Sequence, residues 1–347
     1  MFNNREFLTF KNMLTALRKC CRNVRWKTSV TQYEMNGLKN TVKLIESVKS
    51  GEYELSEYQQ FKIFEPKERN ILATRIKDRQ IQRSLCDNYL YHEITRHFIY
   101  DNCACQIGKG TNFAINRMKT HLQKYYRHEK SNCGYYLKCD IHHFFESINH
   151  DKLKSLLESK VRNKECRSMI FEIIDSFGDV GLGLGSQVSQ LLALLYLDPL
   201  DHYIKETLMI KHYIRYMDDF ILIHNDRRYL SECLRKITLW LKHYDLELNS
   251  KTCLQPLKKS ITFLNFKFAI TDSGKVITTS CKKRSAFRMR KLKAIIRLFE
   301  DKQLSKQDVY NTANGMIAHL KRYNTYRERD NIIRIVRLCL NNKGGKE

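Results

Sequence analysis

An α+β fold, with helices packed behind an antiparallel sheet, is what this sequence predicts, on three observations. Residues 213–223 read Tyr-Ile-Arg-Tyr-Met-Asp-Asp-Phe-Ile-Leu-Ile, two β-branched and aromatic runs meeting at adjacent acids, the pattern of a hairpin with an acidic tip. Tyr135 to Asp140 is a second apolar-rich run, and it delivers an aspartate at its C-terminal end. Between and beyond these strands, apolar residues return at helical spacing. The order is strand with acid, helix, glycine turn, helix, acidic hairpin, helix, strands, which suits a sheet covered by helices.

Taken along the chain, residues 1–60 form a basic helical extension. Leu14, Leu17 and Cys21 alternate with Arg18, Arg22 and Arg25, and Val42, Ile45 and Val48 repeat at helical spacing. From Phe61 to Ile71 the β-branched and aromatic content rises around Pro66, predicting a short hairpin with Lys67 and Arg69 at its tip. Residues 78–100 and 112–128 return to helical periodicity. After the Tyr135–Asp140 strand a helix restarts over Ser147 to Leu157, capped by Asn149 or Asp151. Gly181, Gly183 and Gly185 allow positive φ and close approach of backbone to a ligand, and they precede a long amphipathic helix from about Gln187 to Leu208. A helix over about Tyr229 to Tyr244 follows the acidic hairpin. Strands come next near Leu246–Leu248, Ile261–Ile270 and Lys275–Thr279, and the chain ends in helix. His142 and His143, on a continuing strand, would point to opposite faces, so at most one could approach the acids.

The 347 residues suffice for a large core divided among two or three subdomains. Three prolines, thirteen glycines and no low-complexity tract provide no flexible interdomain linker. Lys plus Arg outnumber Asp plus Glu by 62 to 37, a formal charge of +25. Such an excess repels itself unless a polyanion offsets it, which points to nucleic acid. Twelve cysteines without a Cys-x-x-Cys pair read as scattered reduced thiols. The longest apolar stretch, Leu191 to Leu197, is too short to cross a bilayer, and Arg5 and Glu6 stand at the N-terminus with no apolar segment after them. A cytoplasmic location with no membrane partner is therefore expected.

Asp140 and the Asp218–Asp219 pair are distant in sequence, but a strand and a hairpin side by side would gather all three carboxylates. Clustered acids repel one another unless cations intervene. Two Mg²⁺ ions, with Mn²⁺ as a substitute, would remove that repulsion. Held roughly 3.5–4 Å apart, they would promote attack by a 3′-hydroxyl and departure of pyrophosphate. Asp140 and Asp218 are expected to bridge both ions, helped by the backbone carbonyl of Ile141, with Asp219 the more peripheral ligand.

These segments resemble the ordered motifs of reverse transcriptases, and Tyr216-Met217-Asp218-Asp219 is that family's most recognisable signature. Phe64-Glu65-Pro66-Lys67-Glu68-Arg69 and Ile76-Lys77-Asp78-Arg79-Gln80-Ile81-Gln82 resemble the fingers segment. Lys138-Cys139-Asp140-Ile141-His142-His143-Phe144-Phe145 resembles the first palm aspartate motif. Leu248-Asn249-Ser250-Lys251-Thr252 and Phe263-Leu264-Asn265-Phe266 resemble the last two palm motifs. The resemblance covers about residues 61–270. It implies a right-hand polymerase: an N-terminal extension over 1–60, fingers over 61–134, a palm over 135–280 with part of the fingers inserted, and a helical basic thumb over 281–347. It also implies an RNA-directed DNA polymerase in which Lys67 and Arg69 reach the triphosphate of the incoming nucleotide. Phe145 would lie under the sugar C2′ and exclude a 2′-hydroxyl. Lys251 would donate a proton to the pyrophosphate or neutralise it.

Where many reverse transcriptases carry Pro-Gln-Gly, this chain has Gly183-Leu184-Gly185, with Ser189-Gln190 closing the motif. That segment is similar to the pattern in diversity-generating retroelement enzymes and in bacterial groups linked to phage defence. Leu184, Gly185 and Gln190 are the expected nucleotide contacts, and an apolar Leu184 cannot hydrogen-bond a base pair, so low discrimination is expected. From Cys281 to Arg297 the chain carries Lys282, Lys283, Arg284, Arg288, Arg290, Lys291 and Lys293 with no acid among them, a helix suited to phosphates of a template–primer duplex. About fifty residues follow Arg297, and no nuclease domain is expected among them. The expected partners are an RNA template from a dedicated non-coding RNA, dNTPs, a DNA product, and an accessory protein or a second copy of the chain. An antiphage defence enzyme is the leading expectation. A retroelement enzyme making mutagenic cDNA is the alternative within the family. A catalytically silent RNA-binding scaffold has no use for clustered acids, and a palm-type nucleotide cyclase has no use for the basic helix.

Overall fold

Two units make up the chain in a computed structural model that describes residues 6–64 and 68–341. The first unit takes the residues up to Gly110 together with Lys138–Ile221 and Ser231–Cys253. The second takes Thr111–Leu137, Leu222–Leu230 and the chain from Leu254 onward. Among the described residues no helix is long and apolar enough to cross a membrane, and all twelve cysteines are free thiols.

The first unit opens with the predicted basic helices, α1 (Phe10–Cys21), α2 (Thr28–Met35) and α3 (Gly37–Ser50). Thr9 caps α1 by accepting from the Asn12 N–H at 3.3 Å, and Met13, Ala16, Leu17, Cys20 and Cys21 form its buried face. Strands β1 (Gln59–Ile63) and β2 (Arg69–Ala73) then make the predicted hairpin, in antiparallel register from Gln59↔Ala73 to Ile63↔Arg69. Lys67 lies outside the described residues, and Arg69 opens β2. Helix α4 (Ile76–Leu85) packs on α1 and widens into a π turn at Cys86–Leu90 before α5 (Tyr91–Thr95). The helix expected over 78–100 stops there because the following residues pair elsewhere: Arg215 donates its N–H to the Asp101 carbonyl at 3.0 Å, and Cys103 donates to the Arg215 carbonyl at 2.9 Å.

Helix α6 (Thr111–Glu129) lies in the second unit and strand β3 (Tyr135–Asp140) follows it. Helix α7 (His150–Lys160) has Asn149 as its cap, accepting from the Lys152 N–H at 3.0 Å. After α8 (Lys164–Asp175), the single helix expected over 187–208 is instead α9 (Gln187–Tyr196), α10 (Asp198–His202) and a π turn at Tyr203–Thr207. Pro199 has no N–H with which to continue the ladder, so the axis resets at Leu197. Nor is α9 amphipathic: Val188, Ser189 and every residue from Leu191 to Tyr196 are buried.

Strands β4 (His212–Tyr216) and β5 (Asp219–His224) form the acidic hairpin, and helix α11 (Arg227–His243) follows. With β6 (Cys253–Pro256) they build a four-stranded sheet in the order β4-β5-β3-β6. The strand expected at Leu246–Leu248 shrinks to one bridge, Ile141↔Leu248. In the second unit the single strand expected over 261–270 is a hairpin, β7 (Ile261–Phe263) and β8 (Phe266–Ile270), because Leu264 and Asn265 both take positive φ and reverse the chain. Strand β9 (Val276–Ser280) completes that three-stranded antiparallel sheet. Helices α12 (Lys282–Glu300), α13 (Lys306–Leu320) and α14 (Tyr326–Asn341) enclose their own core of Leu292, Val309, Leu320, Ile332 and Val336.

Candidate active site

Asp140 is the last residue of β3 and Asp219 the first of β5, and these strands are neighbours in the sheet. Asp218 lies in the two-residue turn between β4 and β5, after Met217, whose φ of +56° is uncommon for a residue with a side chain. All three acids fall within the first unit. Their side chains are poorly solvated, with Asp140 22% and Asp219 21% exposed. Lys138, two residues before Asp140 and so on the same face of β3, sets its Nζ 3.1 Å from Asp219 Oδ2. The other oxygen, Asp219 Oδ1, is buried without a hydrogen-bond partner.

Electrostatics agree with that geometry. Burial pushes the Asp219 carboxyl up to about 6; Lys138 opposes the shift, and the charges of Asp140 and Asp218 add to it. Burial also raises Asp218, with the charge of Asp140 reinforcing it and Arg69 and Arg215 working the other way. The site therefore carries more negative charge than its surroundings offset. Among the described residues no three His, Cys, Asp or Glu side chains gather into a protein-only metal cage. Mg²⁺ does not require one, since it takes one or two carboxylates and completes its shell with water and substrate phosphates. An orphaned carboxylate oxygen beside two more acids, all hard donors, fits such an ion.

The segment after α11 runs alongside the end of β3. Asn249 donates its N–H to the Asp140 carbonyl at 2.6 Å, and His142 donates to the Glu247 carbonyl at 2.8 Å. This brings the Lys251 ammonium to 3.6 Å from Asp140 Oδ2, with Lys251 still 60% exposed. Ile141 is buried at the bridge to Leu248. His142 and His143 do not alternate across a strand, because β3 ends at Asp140 and His143 adopts a φ of +43°. Both are exposed, their rings meet edge to face, and His143 pairs with Glu146. Phe145 is half-buried against Phe144, and its carbonyl accepts from the Leu182 N–H at 2.7 Å.

The glycine segment packs closely on protein at Gly181 and Gly183 and borders a cavity at Gly185. Gly181 and Gly185 have φ of +86° and +120°, as positive-φ positions require. A Cβ on Gly183 would stand 2.4 Å from Phe177 Cε1 and 3.0 Å from Leu72 Cδ1. Between them the Leu184 carbonyl accepts from the Leu72 N–H at 3.1 Å, which ties the segment to β2 and hence to the strand that begins with Arg69. Gly185 and Gln190 line a cavity of about 370 Å³ together with Lys19, Arg79, Arg83 and Gln82. Gln82 Nε2 and Gln187 Oε1 of its wall are buried without partners.

Along α12, Lys282, Lys283, Arg284, Arg290, Lys291 and Lys293 are exposed. Arg288 differs from the expectation. It turns inward, 8% exposed, and donates to Glu328 Oε1 at 2.9 and 2.6 Å and to Ser280 Oγ at 2.6 Å. Its helical position faces the core shared with α14, so its charge is spent inside the unit. Sequence reasoning missed Lys138, which the two-residue period of β3 could have revealed, and Lys19, which reaches the cavity from a helix outside every motif.

Residues 65–268, more than half of the chain, match the family profile described as reverse transcriptase (RNA-dependent DNA polymerase). An uncharacterized 91 kDa protein in the cob intron of Schizosaccharomyces pombe is 34% identical over 82 residues, covering 21% of this chain and 10% of that protein. Telomerase from Candida albicans, in complex with a TWJ fragment of telomeric RNA, aligns over 86% of this chain and 61% of its own, at 11% identity and a TM-score of 0.51. Apo telomerase from Candida tropicalis, truncated from its C-terminal domain, aligns over 70% of this chain and 60% of its own, at 14% identity and a TM-score of 0.49. The chain thus spans a small part of the curated relative and about three fifths of these telomerase chains. The likeness to the Candida albicans enzyme shows the fold, a right-hand polymerase of α+β class. By its profile match the chain belongs to the reverse transcriptase family, whose domain is that of an RNA-directed DNA polymerase, a nucleotidyltransferase that works with divalent metal ions.

Proposed function

We propose that this chain copies RNA into DNA, with Asp140, Asp218 and Asp219 as its catalytic acids. The reading rests on one observation: Asp140, Asp218 and Asp219 lie within one another's field, and Asp219 keeps a buried oxygen without a partner. Two Mg²⁺ ions, or Mn²⁺ in their place, would supply activation of the primer 3′-hydroxyl and charge neutralisation at the pyrophosphate. Asp140 and Asp218 would hold both ions with the Ile141 carbonyl, and Asp219 would complete the set. Lys138 holds Asp219 in place from the neighbouring strand. Arg69, exposed at the start of β2, would take the triphosphate, with Lys67 beside it in sequence. Lys251, exposed and near Asp140, would protonate or neutralise the departing pyrophosphate. Phe145 would exclude the 2′-hydroxyl, and Leu184, Gly185 and Gln190 would border the nascent base pair. Lys19, Arg79 and Arg83 would bind backbone phosphate, and the six exposed cations of α12 would grip the duplex.

The setting we propose is a bacterial antiphage defence system that copies a dedicated non-coding RNA in the cytoplasm, supported by the similarity of the Gly183-Leu184-Gly185 segment to such enzymes. Purified protein incubated with Mg²⁺, labelled dNTPs and its co-purifying RNA tests the chemistry. Incorporation that Asp218→Ala abolishes is expected; incorporation that survives this change would sink the mechanism. Sequencing the bound RNA and its DNA product tests the setting, and a product templated from an element's own variable repeat would favour a retroelement role.

A further inference from the structure

Arg215 is the largest fully buried side chain described, and it stands two residues before Met217. A guanidinium out of water is costly unless its donors are satisfied. Asp201 of α10 accepts from Arg215 Nε at 2.7 Å and from Nη2 at 2.5 Å, and it also accepts from the Tyr213 hydroxyl at 2.7 Å. Nη2 reaches the Leu194 carbonyl at 3.3 Å as well. The remaining nitrogen, Nη1, points forward and donates to the Met217 carbonyl at 3.1 Å. Arg215 is held by its main chain too, between Asp101 and Cys103. A planar fork clamped on a buried carboxylate can present its third nitrogen in only one direction. That direction is the acidic turn.

Met217 is in the left-handed region, a conformation that persists only where the surroundings hold it. Its carbonyl belongs to the peptide that leads into Asp218, so fixing that oxygen fixes where the Asp218 side chain begins. We propose that Arg215, clamped by Asp201, is a positioning residue: it holds the Met217 carbonyl and so aims Asp218 into the acid cluster. The proposal deepens the polymerase reading above and rests on it. A buried ion pair that served only the fold could be exchanged for apolar side chains of similar volume with little loss of stability. A positioning pair exchanged in the same way would keep the fold and lose activity, because no apolar side chain donates to the Met217 carbonyl.

The test is a variant combining Arg215→Met, Asp201→Leu and Tyr213→Phe, which removes the charges and the hydroxyl that would be left without an acceptor. Thermal melting and steady-state dNTP incorporation are measured on a defined RNA template with a DNA primer. A melting temperature near wild type is expected, with kcat lowered about 100-fold and KM for dNTP changed by less than about twofold. Arg215→Lys keeps a cation on Asp201 but lacks the fork, and it should fold with kcat also reduced. Wild-type kcat in either folded variant overturns the proposal. If neither variant folds, the fold itself requires the network around Arg215, and a role confined to positioning is refuted. A wild-type protein that incorporates nothing on any template would remove the polymerase reading itself, a different failure from active wild type with active variants.

Discussion

Magnesium should stabilise this protein at about pH 7.5 and lose most of that effect near pH 5, because Asp219 changes charge between them. Burial, with the charges of Asp140 and Asp218, lifts its carboxyl from 3.8 to about 6 against the pull of Lys138. In the unfolded chain the group titrates near its ordinary value. The folded protein therefore holds an extra proton between about pH 4 and pH 6, and without metal its stability falls as pH rises through that window. Above about pH 6 the penalty is complete. The rise to about 6 corresponds to roughly 3 kcal/mol, an upper figure because the side chain keeps some contact with water. A divalent cation on the ionised carboxylate offsets this cost, whereas below about pH 6 it must displace a proton and binds about tenfold more weakly per unit. Melting curves at several MgCl₂ concentrations, at both pH values, for wild type and Asp219→Asn, measure the effect. Asp219→Asn should be the more stable protein at about pH 7.5 without metal, and it should respond less to magnesium. A magnesium shift of equal size at both pH values, or undiminished in Asp219→Asn, would refute the reasoning.

Gly183→Ala places a methyl against Phe177, itself stacked on Tyr58 at 5.1 Å, and should cost about 1–3 kcal/mol by overpacking. A melting scan should show the loss, and Phe177→Leu in the same chain should recover part of it; an unchanged melting temperature would contradict the packing. Phe145→Ala should raise ribonucleotide incorporation relative to deoxynucleotide by roughly tenfold or more if this half-buried ring excludes the 2′-hydroxyl. Paired primer extensions with rNTP and dNTP measure the ratio, and an unchanged ratio counts against the role. Leu184→Gln should lower misincorporation on a defined template, read by sequencing the products; the same error spectrum would remove Leu184 from the fidelity argument.

Much of the polymerase architecture was legible because it is written in local patterns. Two hydrophobic runs around Asp218 and Asp219 made the hairpin, an apolar run ending at Asp140 made β3, and Asn149 made a cap. The misses have physical causes of their own. Pro199 divides a helix that apolar spacing had joined, since periodicity does not register a missing N–H. Leu264 and Asn265 reverse a strand through positive φ, which propensity does not assign to a leucine. Arg288 looked like one more cation in a basic run, and only its facing toward Glu328 separates it from its neighbours. Gly183, one of three glycines that could admit a ligand, is filled by Phe177 and Leu72, a packing that its lack of a side chain does not announce.

The sequence alone determined which acids exist, that they stand at strand ends and a hairpin turn, and that the chain carries a charge of +25 that repels itself, because β-periodicity and net charge are properties of residue order and count. Only the tertiary structure decided how those acids are held. Lys138 on Asp219, Lys251 near Asp140, and Arg215 clamped by Asp201 beneath the Met217 carbonyl are contacts between residues distant in sequence or on different faces. Burial, which raises Asp218 and Asp219, belongs to the folded chain as a whole. Desolvation and Coulomb terms depend on distance in space, and no local pattern encodes that distance.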